Sequence, residues 1–145
     1  MFAKFLKQLL EPEPETLKVE DAQLAITALL VRVARSDDNY EESEIKKIDR
    51  ILEAHYKLDK KAIASLRCKA EILEQEAPDT VRFTRAIKNA LPHSERIIFM
   101  EALWTIALTD GVRDIEEDAL IRLVSGLLGI TDVESNTARR KAAKS

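Results

Sequence analysis

Two segments of the chain are apolar around almost their whole circumference. Ten of 13 residues are apolar in 22–34, and ten of 12 are apolar in 97–108. A helix with no polar face is normally wrapped by others, so we expect these two helices at the centre of a bundle. Each is too short to cross a bilayer, and each contains one charged residue, Arg32 or Glu101. A buried carboxylate needs a partner, and Arg32 is the candidate for Glu101.

The rest of the sequence predicts amphipathic helices around that pair. With only three glycines and four prolines among 145 residues, the chain has few residues that favour turns and hairpins. Apolar stripes and capping residues therefore predict an all-α, single-domain bundle of about seven helices. The predicted helices are 2–10, 20–36, 42–55, one capped by Asp59, 78–90, 94–109 with Ser94 as its cap, and 114–128 before Gly129, with a short fraying helix from Asp132.

Prolines and charge predict the domain organisation. We expect an amphipathic helix over 1–10, an extended Glu/Pro linker over 11–18, the helical domain over 19–132 and a basic tail over 133–145. No stretch reaches about 18 apolar residues, which argues against a membrane-spanning helix. Lys4 interrupts the first apolar run, so we expect no signal peptide and a cytoplasmic location.

The N-terminal helix carries a candidate surface for binding a partner. One of its sides holds four large apolar residues, Phe2, Phe5, Leu6 and Leu9. Beside Lys4 and Lys7, this side could make a weak contact with the inner face of a membrane. It could equally cover a groove of the bundle, tethered by the linker. Both interpretations stay open.

The two central segments are followed by similar sequences. The repeated unit is a buried helix, a short acidic turn and an amphipathic helix, and two copies predict a pseudo-two-fold bundle. At a constant offset of 73 residues, the repeat pairs Asp37 with Asp110, Glu41 with Asp114, and Glu44 with Glu117.

The acidic turns permit two interpretations. Ten of the 26 acidic residues lie in 37–44 and 110–118, so the rest of the chain has a surplus of basic residues. Acidic residues in a first helical turn complement the helix dipole and form capping boxes, which explains most of them. Asp37 and Asp110 instead follow the C-terminal end of a helix, where the dipole disfavours an anion. Clustered carboxylates also suit Ca²⁺ or Mg²⁺, so a site for a cation or a basic partner remains the alternative to caps and solvated charge.

These turns carry a family resemblance. The pattern Ala-x-x-Asp-Gly-x-x-Asp-x-x-Glu follows an apolar helix from Ala107, recurs in modified form from Ala34, and resembles the tellurite-resistance TerB-like family. The resemblance covers about residues 20–142 and implies a duplicated helical bundle associated with tellurite and chemical-stress resistance and with complexes near the membrane. In the first copy, Asp38 stands where the second has Gly111. The resemblance also implies divalent-metal binding, with candidate ligands Asp37, Glu41, Glu44, Asp110, Asp114 and Glu117.

The sequence predicts a binding module and no enzyme. It contains no nucleophile–base pair, no glycine-rich phosphate loop and no histidine cluster. A net charge of −3 argues against a nucleic-acid partner. The leading hypothesis is a module that binds Ca²⁺, Mg²⁺ or an unidentified protein partner through the acidic turns. The alternative is a structural adaptor, in which these turns only cap helices and a groove or the N-terminal helix carries the function.

Overall fold

The structure, a computed structural model, describes residues 19–36, 40–76, 80–108 and 115–144, except for the side chains of 19–21 and 115–117. These ranges contain seven α-helices and no strand, which confirms the all-α prediction. The predicted helix 2–10 lies outside the described residues. The helices are α1 (Val19–Arg35), α2 (Glu42–Tyr56), α3 (Lys60–Glu76), α4 (Thr80–Ala90), α5 (His93–Ala107), α6 (Ile115–Leu127) and α7 (Asp132–Lys144).

The two apolar helices lie at the centre of the bundle, as their sequences predicted. α1 packs against α2, α3, α4, α5 and α6, and α5 packs against α1, α2, α4, α6 and α7. Leu29 and Leu30 of α1 and Leu103 of α5 have no exposed surface. Burying side chains of this size contributes about 1.5–3 kcal/mol each, so the burial of these two helices by their neighbours is a main source of stability.

The most extensive helix pairings are α1 with α3 and α5 with α7. Each central helix therefore makes its largest contact with the second helix that follows it. The predicted pseudo-two-fold repeat would have this order in both halves, but it stays a prediction, because much of both acidic turns lies outside the described ranges.

Helix boundaries follow local capping chemistry. The Asp59 carboxylate accepts a hydrogen bond from the backbone N–H of Ala62 at 2.7 Å, which confirms it as the cap of α3. Gly129 has a φ of 72° just after α6, a conformation that costs glycine little. The predicted cap Ser94 is wrong. α5 begins at His93 with Pro92 as its N-cap, and the extended backbone of Pro92 places Ser94 inside the first turn.

The C-terminal residues form more of the bundle than the sequence indicated. Instead of a short fraying helix and a basic tail over 133–145, α7 continues to Lys144 and packs on α5. Ser135, Ala138 and Ala142 are its buried residues. These three small residues recur at helical spacing, which allows the backbone of α7 to lie close to α5. Two basic side chains of this segment also face α5: the Arg139 guanidinium lies 5.9 Å from the centre of the Trp104 ring, and Lys141 Nζ lies 3.6 Å from Glu101 Oε1.

The predicted Arg32–Glu101 pair is also wrong. Arg32 Nε lies 3.1 Å from Glu74 Oε2 on α3. The Glu101 side chain is 30% exposed, and its Oε1 lies 3.6 Å from Lys141 Nζ on α7. Although both helices are central, these two charged residues face different neighbours, and Glu101 is not fully buried.

Candidate functional site

The structure describes only part of the predicted cation site. The side chains of Glu41 and Glu44 are described, whereas for Glu117 only the helical backbone is. No group of three or more His, Cys, Asp or Glu side chains suited to a metal occurs within the described portion of the chain. The six-carboxylate grouping therefore stays a prediction. The other predicted site residues lie outside the described ranges: Asp37, Asp110 and Asp114, and the apolar Phe2, Phe5, Leu6 and Leu9.

Glu41 and Glu44 form the start of α2. Glu41 is the N-cap, with an extended backbone at φ −89° and ψ 165°, and its side chain is exposed. Glu44 is only 7% exposed, and its Oε1 accepts a hydrogen bond from the backbone N–H of Glu41 at 3.3 Å. This contact satisfies a backbone donor that the helix leaves free, as in a capping box. At this turn, the capping interpretation explains the position of Glu44.

A polar network joins the first acidic turn to α2 and α3. The Tyr40 hydroxyl donates to Glu71 Oε2 at 2.7 Å, and Arg67 Nε donates to Asp49 Oδ1 at 2.8 Å. Arg67 Nη1 also lies 3.4 Å from Glu71 Oε2. Burial and the neighbouring Glu71 carboxylate raise the pKa of Tyr40, so the phenol stays protonated and can donate. Partial burial is the largest single effect on Arg67 and disfavours its charge, but the hydrogen bond to Asp49 and the negative charges of Asp49 and Glu71 together outweigh it and raise the pKa of Arg67.

Two arginines lie near the C-terminal end of α1. The Arg35 guanidinium stacks 5.0 Å from the centre of the Tyr40 ring and lies 3.6 Å from Glu74 Oε1. Arg32 makes the ion pair with the same glutamate. Cations in a last helical turn complement the helix dipole. They also supply positive charge close to the first acidic turn, where the helix dipole disfavours the anion of Asp37.

A largely apolar groove opens at the other end of α1. It has a volume of about 410 Å³ and lies among α1, the end of α2, the end of α4 and the start of α5. Its polar members include His55, Tyr56 and Glu95. Burial, followed by the nearby Glu95 carboxylate, raises the pKa of Tyr56 to about 12. Apolar walls with a few polar groups are typical of sites that bind ligands or side chains.

Two further pockets differ in chemistry. A polar one of about 260 Å³ lies between α5, α6 and α7, and it includes Trp104 and Arg122. Trp104 is buried as predicted, and its Nε1–H donates to Ser135 Oγ at 3.2 Å. A basic pocket of about 400 Å³ includes Lys46 and Arg50 of α2. Cys68 of α3 is a free, exposed cysteine.

The sequence indicated neither the position of the groove nor the hydrogen bond between Tyr40 and Glu71. The spacing of Ala22, Ile26 and Leu30 indicates one buried face of α1, but it does not show that the helices packed around this face leave a groove beside it. Tyr40 did carry a signal, because it is a large aromatic residue inside an acidic turn. Its partner on α3 could not be read from the sequence.

The comparisons with known proteins agree with the helical architecture. The family described as Tellurite resistance protein TerB matches residues 23–140, which is most of the chain. Searches of the curated proteins and of the solved structures find no match. No helix in the described ranges is long and apolar enough to span a membrane. The chain therefore belongs to the TerB tellurite-resistance family.

Proposed function

We propose that this chain is a non-enzymatic TerB module in the response to tellurite and chemical stress. It binds a divalent cation, a protein partner or both through its two acidic turns. The observation that carries the proposal is the concentration of ten of the 26 acidic residues in 37–44 and 110–118. Carboxylate oxygens are the ligands that Ca²⁺ and Mg²⁺ prefer. Family membership supports the tellurite-related role, since the match spans both turns.

The described part of the first turn limits how it could hold a cation. Glu44 Oε1 already accepts the Glu41 N–H, so this carboxylate would bind through its other oxygen or after breaking the cap. Glu41 is exposed and its carboxylate can turn toward an ion. Ca²⁺ takes about six to eight oxygen ligands. Backbone carbonyls, waters or the second turn would have to complete its coordination.

Calorimetric titration of the full chain with Ca²⁺, Mg²⁺ and Mn²⁺ tests the cation. We expect saturable heat with at least one of these ions. Asp37→Ala and Asp110→Ala should each weaken binding, because each removes one candidate ligand. Glu53→Ala is the matched control, since it removes an exposed carboxylate from α2 away from the turn. Absence of heat, or equal binding by the wild type and both aspartate variants, would refute cation binding.

A structural adaptor is the second candidate. The Glu44–Glu41 contact favours it, because it gives that carboxylate a role in capping α2. In this case Glu44→Ala lowers the free energy of unfolding by about 0.5–2 kcal/mol, the usual cost of losing a cap. The same variant leaves calorimetric titrations with metal unchanged. A large loss of stability together with a loss of metal binding would instead assign Glu44 both roles.

A further inference from the structure

The groove beside α1 has the form of a site for a short apolar helix. Ala22, Ile26 and Leu30 line it along one face of α1, and Ile98 and Phe99 of α5 line it as well. Ile98 is 43% exposed, although the next two residues of α5, Phe99 and Met100, are buried. An isolated exposed isoleucine needs no explanation, but one at the edge of an apolar groove marks a surface that a partner can cover.

We propose that residues 1–10 of the same chain occupy this groove as an amphipathic helix. The dimensions agree. The α1 residues that line the groove extend from Ala22 to the fully buried Leu30, a span of about 12 Å at about 1.5 Å per residue. The helical stripe from Phe2 to Leu9 extends for about 10 Å on the same scale. The apolar stripe of one short helix is therefore about as long as the groove.

The tether is also long enough. α1 begins at Val19, only three residues before Ala22 lines the groove. The linker 11–18 has eight residues, and an extended Pro-rich segment of that length spans about 25 Å at about 3.1 Å per residue. This reach allows residues 1–10 to lie antiparallel to α1 after a short reversal, or parallel to α1 if the linker returns along the groove.

Effective concentration favours this occupant over a separate molecule. In a helix over residues 1–10, Lys4 and Lys7 lie on the side opposite the apolar stripe, so both lysines stay in solvent while the phenylalanines and leucines are buried. A short tether gives the segment a local concentration in the millimolar range, which a second copy or a lipid surface must exceed. This docking is independent of cation binding at the acidic turns.

Cysteine cross-linking in the full chain tests the placement. In a Cys68→Ser background, which removes the only native thiol, Leu6→Cys is combined with Ile98→Cys. We expect an intramolecular disulfide under mild oxidation. The control combines Leu6→Cys with Leu123→Cys, because Leu123 is 52% exposed on α6 and does not line the groove. The groove pair should react at least about tenfold faster, as tethered docking predicts.

Each alternative to this docking predicts a different result in the cross-linking experiment. A disulfide-linked dimer would show that the segment docks into a second copy, and equal rates for the two pairs would show no preference for the groove. Phe2→Cys, Phe5→Cys and Leu9→Cys are each tested with Ile98→Cys to allow for register. If none of the pairs reacts and the wild-type chain co-sediments with phosphatidylserine vesicles, a membrane is the partner. Each of these results overturns the proposal.

A charge-matched pair of variants gives a second readout. Phe5→Asp puts a carboxylate into the apolar stripe, whereas Gln8→Asp adds the same charge outside it. In chains that also carry Leu6→Cys, Ile98→Cys and Cys68→Ser, we expect Phe5→Asp to abolish the cross-link and Gln8→Asp to preserve it. Without the added cysteines, Phe5→Asp alone should increase the fluorescence of an apolar dye. Equal behaviour of the two variants in both assays overturns the proposal.

Discussion

Arg32 joins three helices, and its replacement gives the sharpest test of this fold. Its Nε and Nη2 donate to the side chain and the backbone carbonyl of Glu74, at 3.1 Å and 2.8 Å. Its Nη1 donates to Thr80 Oγ1 at 3.1 Å, and the guanidinium stacks 5.0 Å from the centre of the Phe83 ring. Arg32 on α1 thus holds the end of α3 and the start of α4 together.

The magnitude follows from these contacts. Removing one partner of a buried ion pair costs about 3–5 kcal/mol. The Arg32 and Glu74 side chains are 16% and 13% exposed, and Arg35 remains 3.6 Å from Glu74, so the cost falls at the lower end. We expect Arg32→Ala to lower the free energy of unfolding by about 3 kcal/mol. Arg32→Lys keeps the charge but loses the planar fork, and should cost about 1–2 kcal/mol.

Equilibrium urea unfolding measures these values. With a typical slope of about 2 kcal/mol/M, Arg32→Ala shifts the midpoint down by about 1.5 M. Glu101→Ala is the control, because Glu101 makes an ion pair with the exposed Lys141 and its loss should cost less than about 1 kcal/mol. If Arg32→Ala costs less than Arg32→Lys, or if Glu101→Ala costs as much as Arg32→Ala, the assigned network is incorrect.

Three further predictions concern α7 and the groove. Thr131→Ala removes the hydroxyl that accepts the Glu134 N–H at 3.1 Å, so it should cost about 1 kcal/mol in thermal or urea unfolding, and an unchanged stability would contradict this cap. The hydrogen bond from His93 lowers the pKa of Glu134 from 4.5 to about 2, so its stabilising contribution is complete above pH 4.5 and is lost as pH falls toward 2. Glu134→Gln should therefore reduce the fall in the free energy of unfolding between pH 4.5 and pH 2. If that fall is unchanged in the variant, the role assigned to Glu134 is wrong. Tyr56 titrates near 12, so its contribution is complete below pH 10 and is lost as pH rises through 12. Tyrosinate absorbance, in a chain whose other tyrosine is phenylalanine, should show that Glu95→Gln lowers this pKa only part of the way to 10, because burial is the larger cause. If Glu95→Gln returned the pKa of Tyr56 fully to 10, burial would not be the larger cause of the shift.

The sequence was sufficient for the elements whose signal is local. α1 and α5 could be placed at the centre because their composition leaves no polar face, whatever lies around them. Asp59 and Gly129 marked helix boundaries through chemistry that involves only adjacent residues. The Glu41–Glu44 spacing likewise predicted a capping contact before either side chain was placed.

The interactions that were missed depend on which helices are neighbours. Arg32 pairs with Glu74, 42 positions away, and nothing near either residue specifies that distance. α7 was underestimated because Ser135, Ala138 and Ala142 are small, and small residues give a weak apolar signal even when they form a tight contact. Four separate helices contribute to the groove, so its presence depends on their packing.

The contact between α5 and α7 also sets an order of events during synthesis. Ser135 lies 31 residues after Trp104, its hydrogen-bond partner. At roughly 5–20 residues per second, a ribosome takes about 2 to 6 s to add the intervening chain. During that interval α7 is not yet available to pack against the Trp104 side of α5, while α1 to α4 are already complete and can pack. The nascent protein thus passes through a stage in which one side of its core is open to chaperones and to aggregation, and α7 closes that side last.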